Sequence, residues 1–273
     1  MKTIIVATDF STCALNAANY AVSMASAVGA DVLLFHVYET SELSLEIPVA
    51  IPIDNLRHEL KQKLLILKND LTQQSLSKIN IRSEVAVGTF FTALEDVCHR
   101  INPYTVILGS QGTTRMERLF FGGHAVYTMK HLTWPLISVP QNAKFSPLTK
   151  IVLALDLYDE VDMIPMEQIK TLVSDFKAEL HILVVDDHEA SGDSSDYESA
   201  LLLEWMTGIK PQYHFIASKH IDDTIIDFAE KNNIDLLIVL PKRYDLLNKL
   251  IHKSHTKRLV LYSPVPLMAL HLS

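Results

Sequence analysis

Along this 273-residue chain, short β-branched apolar runs alternate with longer stretches whose apolar residues repeat at helical spacing. Lys2 to Thr8 has the pattern of a strand ending at Asp9, and Ser11 and Thr12 are placed to cap the next element. From Cys13 to Val28, Ala14, Ala17, Ala18, Ala21, Val22 and Ala25 recur with the helix period, and Gly29 supplies a stop. Asp31 to Val37 has no polar alternation, which suits a strand covered on both faces of a parallel sheet. Tyr38 to Ile53, marked by Pro48 and Pro52, predicts a loop. Asp54 to about Lys78 predicts a long amphipathic helix on Leu56, Leu60, Leu64, Leu67 and Leu71. Ile81 to Val87 alternates as a strand, Gly88 turns, Thr89 to Ile101 is again helical, and Tyr104 to Leu108 is another buried strand.

The stretch from Val106 to Pro140 then runs from an apolar strand through Gly109 and Gly112, past nine residues, to Gly122 and Gly123. An amphipathic helix and the strand LISVP come next. The series β-α-β-α-β-α-β-α-β predicts a doubly wound α/β domain on a parallel sheet.

After a polar linker, Gln141 to Pro147, the pattern restarts. IVLALDLYD resembles IIVATDFST, with Asp156 in the place of Asp9, and ELHILVVDD from Glu179 resembles DVLLFHVYE. An offset of 131 residues sets Pro266 on Pro135 and aligns SPVPLMAL with TWPLISVP without a gap. The chain therefore reads as an internal duplication: two tandem doubly wound, parallel, five-stranded α/β units of flavodoxin-like winding, residues 1–143 and 148–273. The last strands, LISVP and PLMAL, are expected to bring the halves together as a pseudo-dimer. Under the same offset Leu240, Arg243, Lys253 and Ser254 stand where the first copy has Gly109, Gly112, Gly122 and Gly123. The second copy also carries an acidic, serine-rich loop from Asp187 to Ala200, expected to be mobile, before a short helix. It should keep the fold and lose any glycine-loop site.

Composition limits the chemistry. With 48% hydrophobic and 21% charged residues the chain is that of a globular protein, and its net charge of −8 argues against a nucleic-acid partner. The start MKTIIVATDF is too short in apolar residues for a signal peptide, and no apolar run approaches the roughly 18 residues of a membrane span. A cytoplasmic location is expected, with no membrane partner. Cys13 and Cys98 lie outside any CxxC pair and read as buried, reduced thiols. His252 and His255 share a helix face, with His220 and His271 in the same half, but a metal site needs at least three convergent ligands, so no metal is expected. His36, on a buried strand, reads as a hydrogen-bonded core residue.

In a doubly wound sheet the ligand crevice lies at the carboxyl ends of the strands where their order reverses. If the first strand lies beside the fourth, Asp9 and Gly109 both face that crevice. Gly109, Gly112, Gly122 and Gly123 would then offer amides to phosphates, assisted by the positive end of a helix starting near Gly122. Arg115 and Arg118 could add charge. Ordinary turn glycines are the other reading. No GxxxxGK[ST] run and no GxSxG elbow appears, and no residue presents itself as a catalytic base, so whether the chain is an enzyme stays open.

Gly109-Ser110-Gln111-Gly112, nine residues, then Gly122-Gly123, resembles the nucleotide-binding signature of the universal stress protein family. IIVATDFST, DVLLFHV and HLTWPLISVP also resemble that family over Met1 to Pro140, and the likeness extends over Thr149 to Ser273. The resemblance implies an adenine nucleotide alpha hydrolase-like fold in tandem, one copy intact and one degenerate. It implies ATP or a related adenine nucleotide as ligand of a stress-associated regulatory protein. Asp9 and Val37 would lie at base and ribose, and Gly109, Gly112 and Gly122 at the phosphates. The family has Ser or Thr where this chain has Gly123, which keeps an amide and loses a hydroxyl. The alternative is a scaffold or interaction protein that binds no nucleotide; a weaker one is a slow nucleotide hydrolase. A further homodimer is compatible with either.

Overall fold

Thr3–Ala7 (β1) is buried throughout and pairs in parallel on both edges, with Asp31–Tyr38 (β2) and with Thr105–Gly109 (β4). A strand paired on both edges and covered on both faces leaves no solvent-facing position, which explains the unbroken run of Ile4, Ile5 and Val6. The computed structural model describes residues 1–38, 53–76, 79–110, 124–155, 163–186, 208–241 and 255–271. In the first half β1 is followed by α1 (Thr12–Val28), β2, α2 (Ile53–Gln74), β3 (Ile81–Val87), α3 (Phe90–Ile101), β4, a helix over residues 124–131 (α4) and β5 (Leu136–Val139). In the second half come β6 (Lys150–Leu155), α5 (Met166–Phe176), β7 (Glu179–Asp186), β8 (Gln212–Ala217), α6 (Ile221–Lys231), β9 (Leu236–Val239), α7 (His255–Tyr262) and β10 (Leu267–Ala269).

The strand order is β3-β2-β1-β4-β5-β10-β9-β6-β7-β8, which reads the same from either end once the duplication is applied. The expectation of two sheets is therefore refined. Two parallel five-stranded halves join into one ten-stranded sheet, because β5 and β10 pair antiparallel. Separate halves would leave both strands with unpaired N–H and C=O groups along an edge, and the pairing satisfies them. At the centre of this pairing Ile137 faces Met268, and these are equivalent positions of the two copies. A pseudo-twofold axis passes between them. One face of the sheet is covered by α1, α2 and α5, the other by α3, α4, α6 and α7, giving two apolar layers.

Local sequence explains the ends of the elements. Ser11 caps α1, its Oγ accepting from Ala14 N at 3.2 Å, and Gly29 closes the helix in the left-handed region at φ 65°. Lys177 takes the same role after α5 at φ 52°, without glycine's freedom. The helix expected to reach Lys78 stops at Gln74, where the turn tightens and Leu76 enters the left-handed region at φ 52°. Leu60, Leu64 and Leu71 are the members of its leucine stripe that are fully buried.

The segment read as a polar linker is packed. Asn16 on α1 donates to the carbonyls of Pro140 at 3.0 Å and Ala143 at 2.9 Å, and Phe145 sits edge-on to Tyr20 with ring centroids 5.2 Å apart. Asp235 accepts from Thr149 N and Oγ1, both at 2.8 Å, and from Lys150 N at 3.0 Å. Across the joint Asp175 on α5 bonds Lys2 and the Tyr104 hydroxyl. Cys13 and Cys98 are buried and, among the described residues, joined to no disulfide; burial, helped by Glu95, pushes Cys98 up to about 12. Among the described residues no helix is long and apolar enough to cross a membrane.

Candidate functional site

The winding reverses between β1 and β4, which are neighbours, so a crevice opens at their carboxyl ends. The chain leaving β1 makes a tight, fully bonded turn there. Thr8 N donates to Phe35 O at 2.9 Å, Phe10 N to Thr8 Oγ1 at 3.0 Å, and Ser11 N to Asp9 Oδ1 at 2.9 Å. Asp9 thus commits one carboxylate oxygen to the turn while remaining exposed. The turn also aims the N-terminus of α1, the positive end of its dipole, at the same edge.

Phe10 is held at φ 66°, which is uncommon for a bulky residue. Its ring lies 4.8 Å from that of His36, whose Nδ1 is in turn 2.7 Å from Thr8 O. That bond fixes the proton on Nδ1, since a carbonyl can only accept. His36 is therefore the hydrogen-bonded core residue expected from its strand, and it also braces the turn. Val37, one residue on, is half-buried against the opposite apolar layer.

Gly109 ends β4, opposite Val139 of β5. A Cβ there would lie 2.7 Å from Cys13 Sγ and 2.9 Å from both the carbonyl carbon and oxygen of Cys13. The first turn of α1 fills the space that a side chain would need, so close backbone packing is a reason for this glycine beyond any ligand. The next residue, Ser110, is 1% exposed; its N–H donates to Val139 O at 3.1 Å, and its hydroxyl has no partner among the described residues. A buried hydroxyl without a partner costs about 1–3 kcal/mol, and an acceptor arriving at the crevice would remove that cost.

Asp9, Val37 and Gly109 are therefore brought to one edge. Gly112, Gly122 and Gly123, with Arg115 and Arg118, fall among residues 111–123, outside the described residues. Cys13, Ser110 and the Phe10–His36 brace are what the sequence reading missed. Ser110 had a signal, since it lies inside the glycine motif, whereas the contact of Cys13 with Gly109 joins distant parts of the chain and leaves no local pattern.

The second copy differs at each of these positions that can be compared. Leu240, in the place of Gly109, is 8% exposed and its side chain joins the apolar layer beneath α1 and α5. Pro241 stands for Ser110, with neither a hydroxyl nor an amide hydrogen. Asp156, Arg243, Lys253 and Ser254 lie outside the described residues, as does His252. Among the described residues no three metal-ligating side chains converge.

A family model described as the universal stress protein family matches residues 1–140 and again 147–271. Among solved structures, a universal stress protein from Archaeoglobus fulgidus DSM 4304 shares the fold with a TM-score of 0.77 at 17% identity, covering 98% of each chain. A functionally unknown protein from Pseudomonas aeruginosa PAO1 is similar with a TM-score of 0.62 at 12% identity, over 100% of this chain and 93% of that one. No curated protein sequence matches the chain.

Proposed function

We propose, from the premise that this chain belongs to the universal stress protein family as a tandem two-domain member, that its N-terminal domain binds ATP or a related adenine nucleotide and that it acts as a cytoplasmic, stress-associated regulatory protein. The binding domain is residues 1–143 and the degenerate one 148–273, the two forming an intramolecular pseudo-dimer. What supports the reading is the meeting, at the β1–β4 switch point, of the Asp9 turn, the N-terminus of α1 and the buried Ser110 hydroxyl, which has no partner among the described residues. In this reading Asp9 and Val37 flank ribose and base, and the amides of Gly109, Gly112, Gly122 and Gly123 receive the phosphates. Ser110 donates to a phosphate oxygen. Glycine at 123 forgoes one hydroxyl bond, about 0.5–1.5 kcal/mol for a neutral pair, so binding is weaker than with Ser or Thr there.

One observation favours a second reading, a scaffold that binds no nucleotide: Cys13 already accounts for the glycine at 109. Titration calorimetry with ATP separates the two. Saturable binding to the full chain, abolished in Gly112→Val and Gly122→Val, supports the nucleotide site, and absence of heat up to millimolar ATP supports the scaffold.

A further inference from the structure

Three hydroxyls of the first half, those of Ser110, Thr128 and Ser138, are buried and have no partner among the described residues; each residue is at most 1% exposed. All three belong to the layer beneath α4. A Cβ at Gly109 would point to Cys13 on α1, and the ladder continues from Ser110 N to Val139 O, so Ser110 faces the opposite layer, as Leu108 does. Ser138 stands opposite Leu108 on β5 and shares that layer with Leu136. As diagonal neighbours on adjacent strands, Ser110 and Ser138 have Cβ atoms about 7–8 Å apart. Their hydroxyls do not reach each other, but one water, bonded at about 2.8 Å on each side, spans such a gap.

Thr128 lies between Ala125 and Met129, which pack in the same layer. Because β4 and β5 are parallel, α4 returns antiparallel to both. Thr128 is about 4.5 Å back from the end of α4, and Ser138 about 6.6 Å into β5. Helical side chains lean towards the N-terminus, which brings the two hydroxyls to one level. The second half has apolar residues at all three equivalent positions, Pro241, Leu259 and Ala269, and all are buried. The fold is therefore built equally well without these hydroxyls, and they are present together in one copy and missing together from the other.

We infer that Ser110, Thr128 and Ser138 hold ordered water beneath α4, and that this water positions Ser110 as a hydrogen-bond donor to an anionic ligand in the crevice. The second step rests on the nucleotide reading proposed above. Buried water makes about three hydrogen bonds to groups otherwise unsatisfied. Thr128 and Ser138 donate to the water oxygen, and the water donates to a lone pair of Ser110 Oγ. A hydroxyl that already accepts keeps its own proton for the ligand, and each bond in such a chain strengthens the next. Thr128 and Ser138 are thus positioning residues that act on the ligand through Ser110. In the second half Pro241 offers no donor to position, and both supports are gone with it.

The test uses the full chain carrying Thr128→Val or Ser138→Ala, each of which removes one hydroxyl. Without nucleotide, each variant should lose about 2–4 °C in Tm, because it takes a partner from bound water; a dry hydroxyl would give a rise instead. A raised or unchanged Tm in either variant overturns the water site. Titration calorimetry should show ATP binding about five- to tenfold weaker in each variant, and restored affinity in Thr128→Ser and Ser138→Thr. In a Ser110→Ala background neither substitution should weaken binding further. Unchanged affinity, or an equal loss in both backgrounds, overturns the positioning role. A native chain that binds no ATP refutes the nucleotide reading and the positioning role together, while the shift in Tm still decides the water site.

Discussion

Gly109→Ala is the substitution whose consequence the structure fixes most closely. The added methyl would sit 2.7 Å from Cys13 Sγ and 2.9 Å from the Cys13 carbonyl carbon and oxygen, where unstrained carbon contacts lie at about 3.5–4.0 Å. The sulfur can rotate aside; the carbonyl group cannot, because the first turn of α1 is fixed by the Ser11 cap and by Leu15 N donating to Ser11 O at 2.9 Å. Either the helix start withdraws and strains its cap, or β4 moves against β5. Overpacking of this kind costs about 1–3 kcal/mol, and the two main-chain contacts put the expectation at the upper end. In a chain of this size each kcal/mol moves Tm by about 2–4 °C, so a loss of roughly 5 °C or more is expected. Urea unfolding without nucleotide, monitored by circular dichroism and by tryptophan fluorescence, measures it. Adding Cys13→Ala removes the sulfur contact and should restore less than half of the loss. A Gly109→Ala midpoint unchanged to within about 0.5 kcal/mol would refute this account, and so would complete rescue by Cys13→Ala, which would leave the backbone with no part in it.

Other contacts yield three further outcomes. Asp175→Asn removes the charge that binds Lys2 and Tyr104 across the joint; a loss of about 1–2 kcal/mol is expected. The Tyr104 phenol, held well above its ordinary 10.0 by burial, by its bond to Asp175 and by that charge, should titrate at lower pH in this variant, as tyrosinate absorbance would show. His181 Nδ1 and His214 Nε2 lie 3.0 Å apart in a pair that works only while at least one ring is neutral. Burial first, and for His181 the neighbouring His214 next, lowers both below the ordinary 6.5. The unfolded chain then binds more protons than the folded one, so stability is full above pH 6.5 and falls as pH drops through the folded pKa values. His214→Gln, which keeps a donor without titrating, should flatten that slope, which is at most about 1.4 kcal/mol per pH unit for each proton; an unchanged slope would assign the acid sensitivity elsewhere. Lys177→Gly relieves a left-handed lysine at φ 52° and should stabilise by about 1 kcal/mol in the same urea assay.

The strands were legible because burial on both faces forces unbroken apolar runs, as in Ile4 to Val6 and Val32 to Leu34, and the helices because one apolar stripe must face the sheet. The duplication was legible because Ile137 and Met268 descend from one pattern and so carry one spacing. What was not legible depends on contacts between distant residues. Phe145 is one aromatic among polar neighbours, and the positions of Tyr20 and Phe176 show that it is packed rather than solvated. The glycine at 109 was read for an approach to phosphate, yet its nearest neighbour is Cys13, 96 residues earlier in the chain. Ser110 was visible in the motif, but that its hydroxyl is buried, with no partner among the described residues, depends on β5 and the surrounding fold.

The pairing of Ile137 with Met268 also bears on how such a joint can change. In a dimer of identical chains a substitution on the twofold axis meets its own copy, so every mutation is made twice and must suit itself. Here the axis joins two positions that vary independently, already an isoleucine on one side and a methionine on the other. A covalent tandem can therefore carry different residues on the two sides of its joint, an asymmetry that no pair of identical subunits could hold without breaking its symmetry.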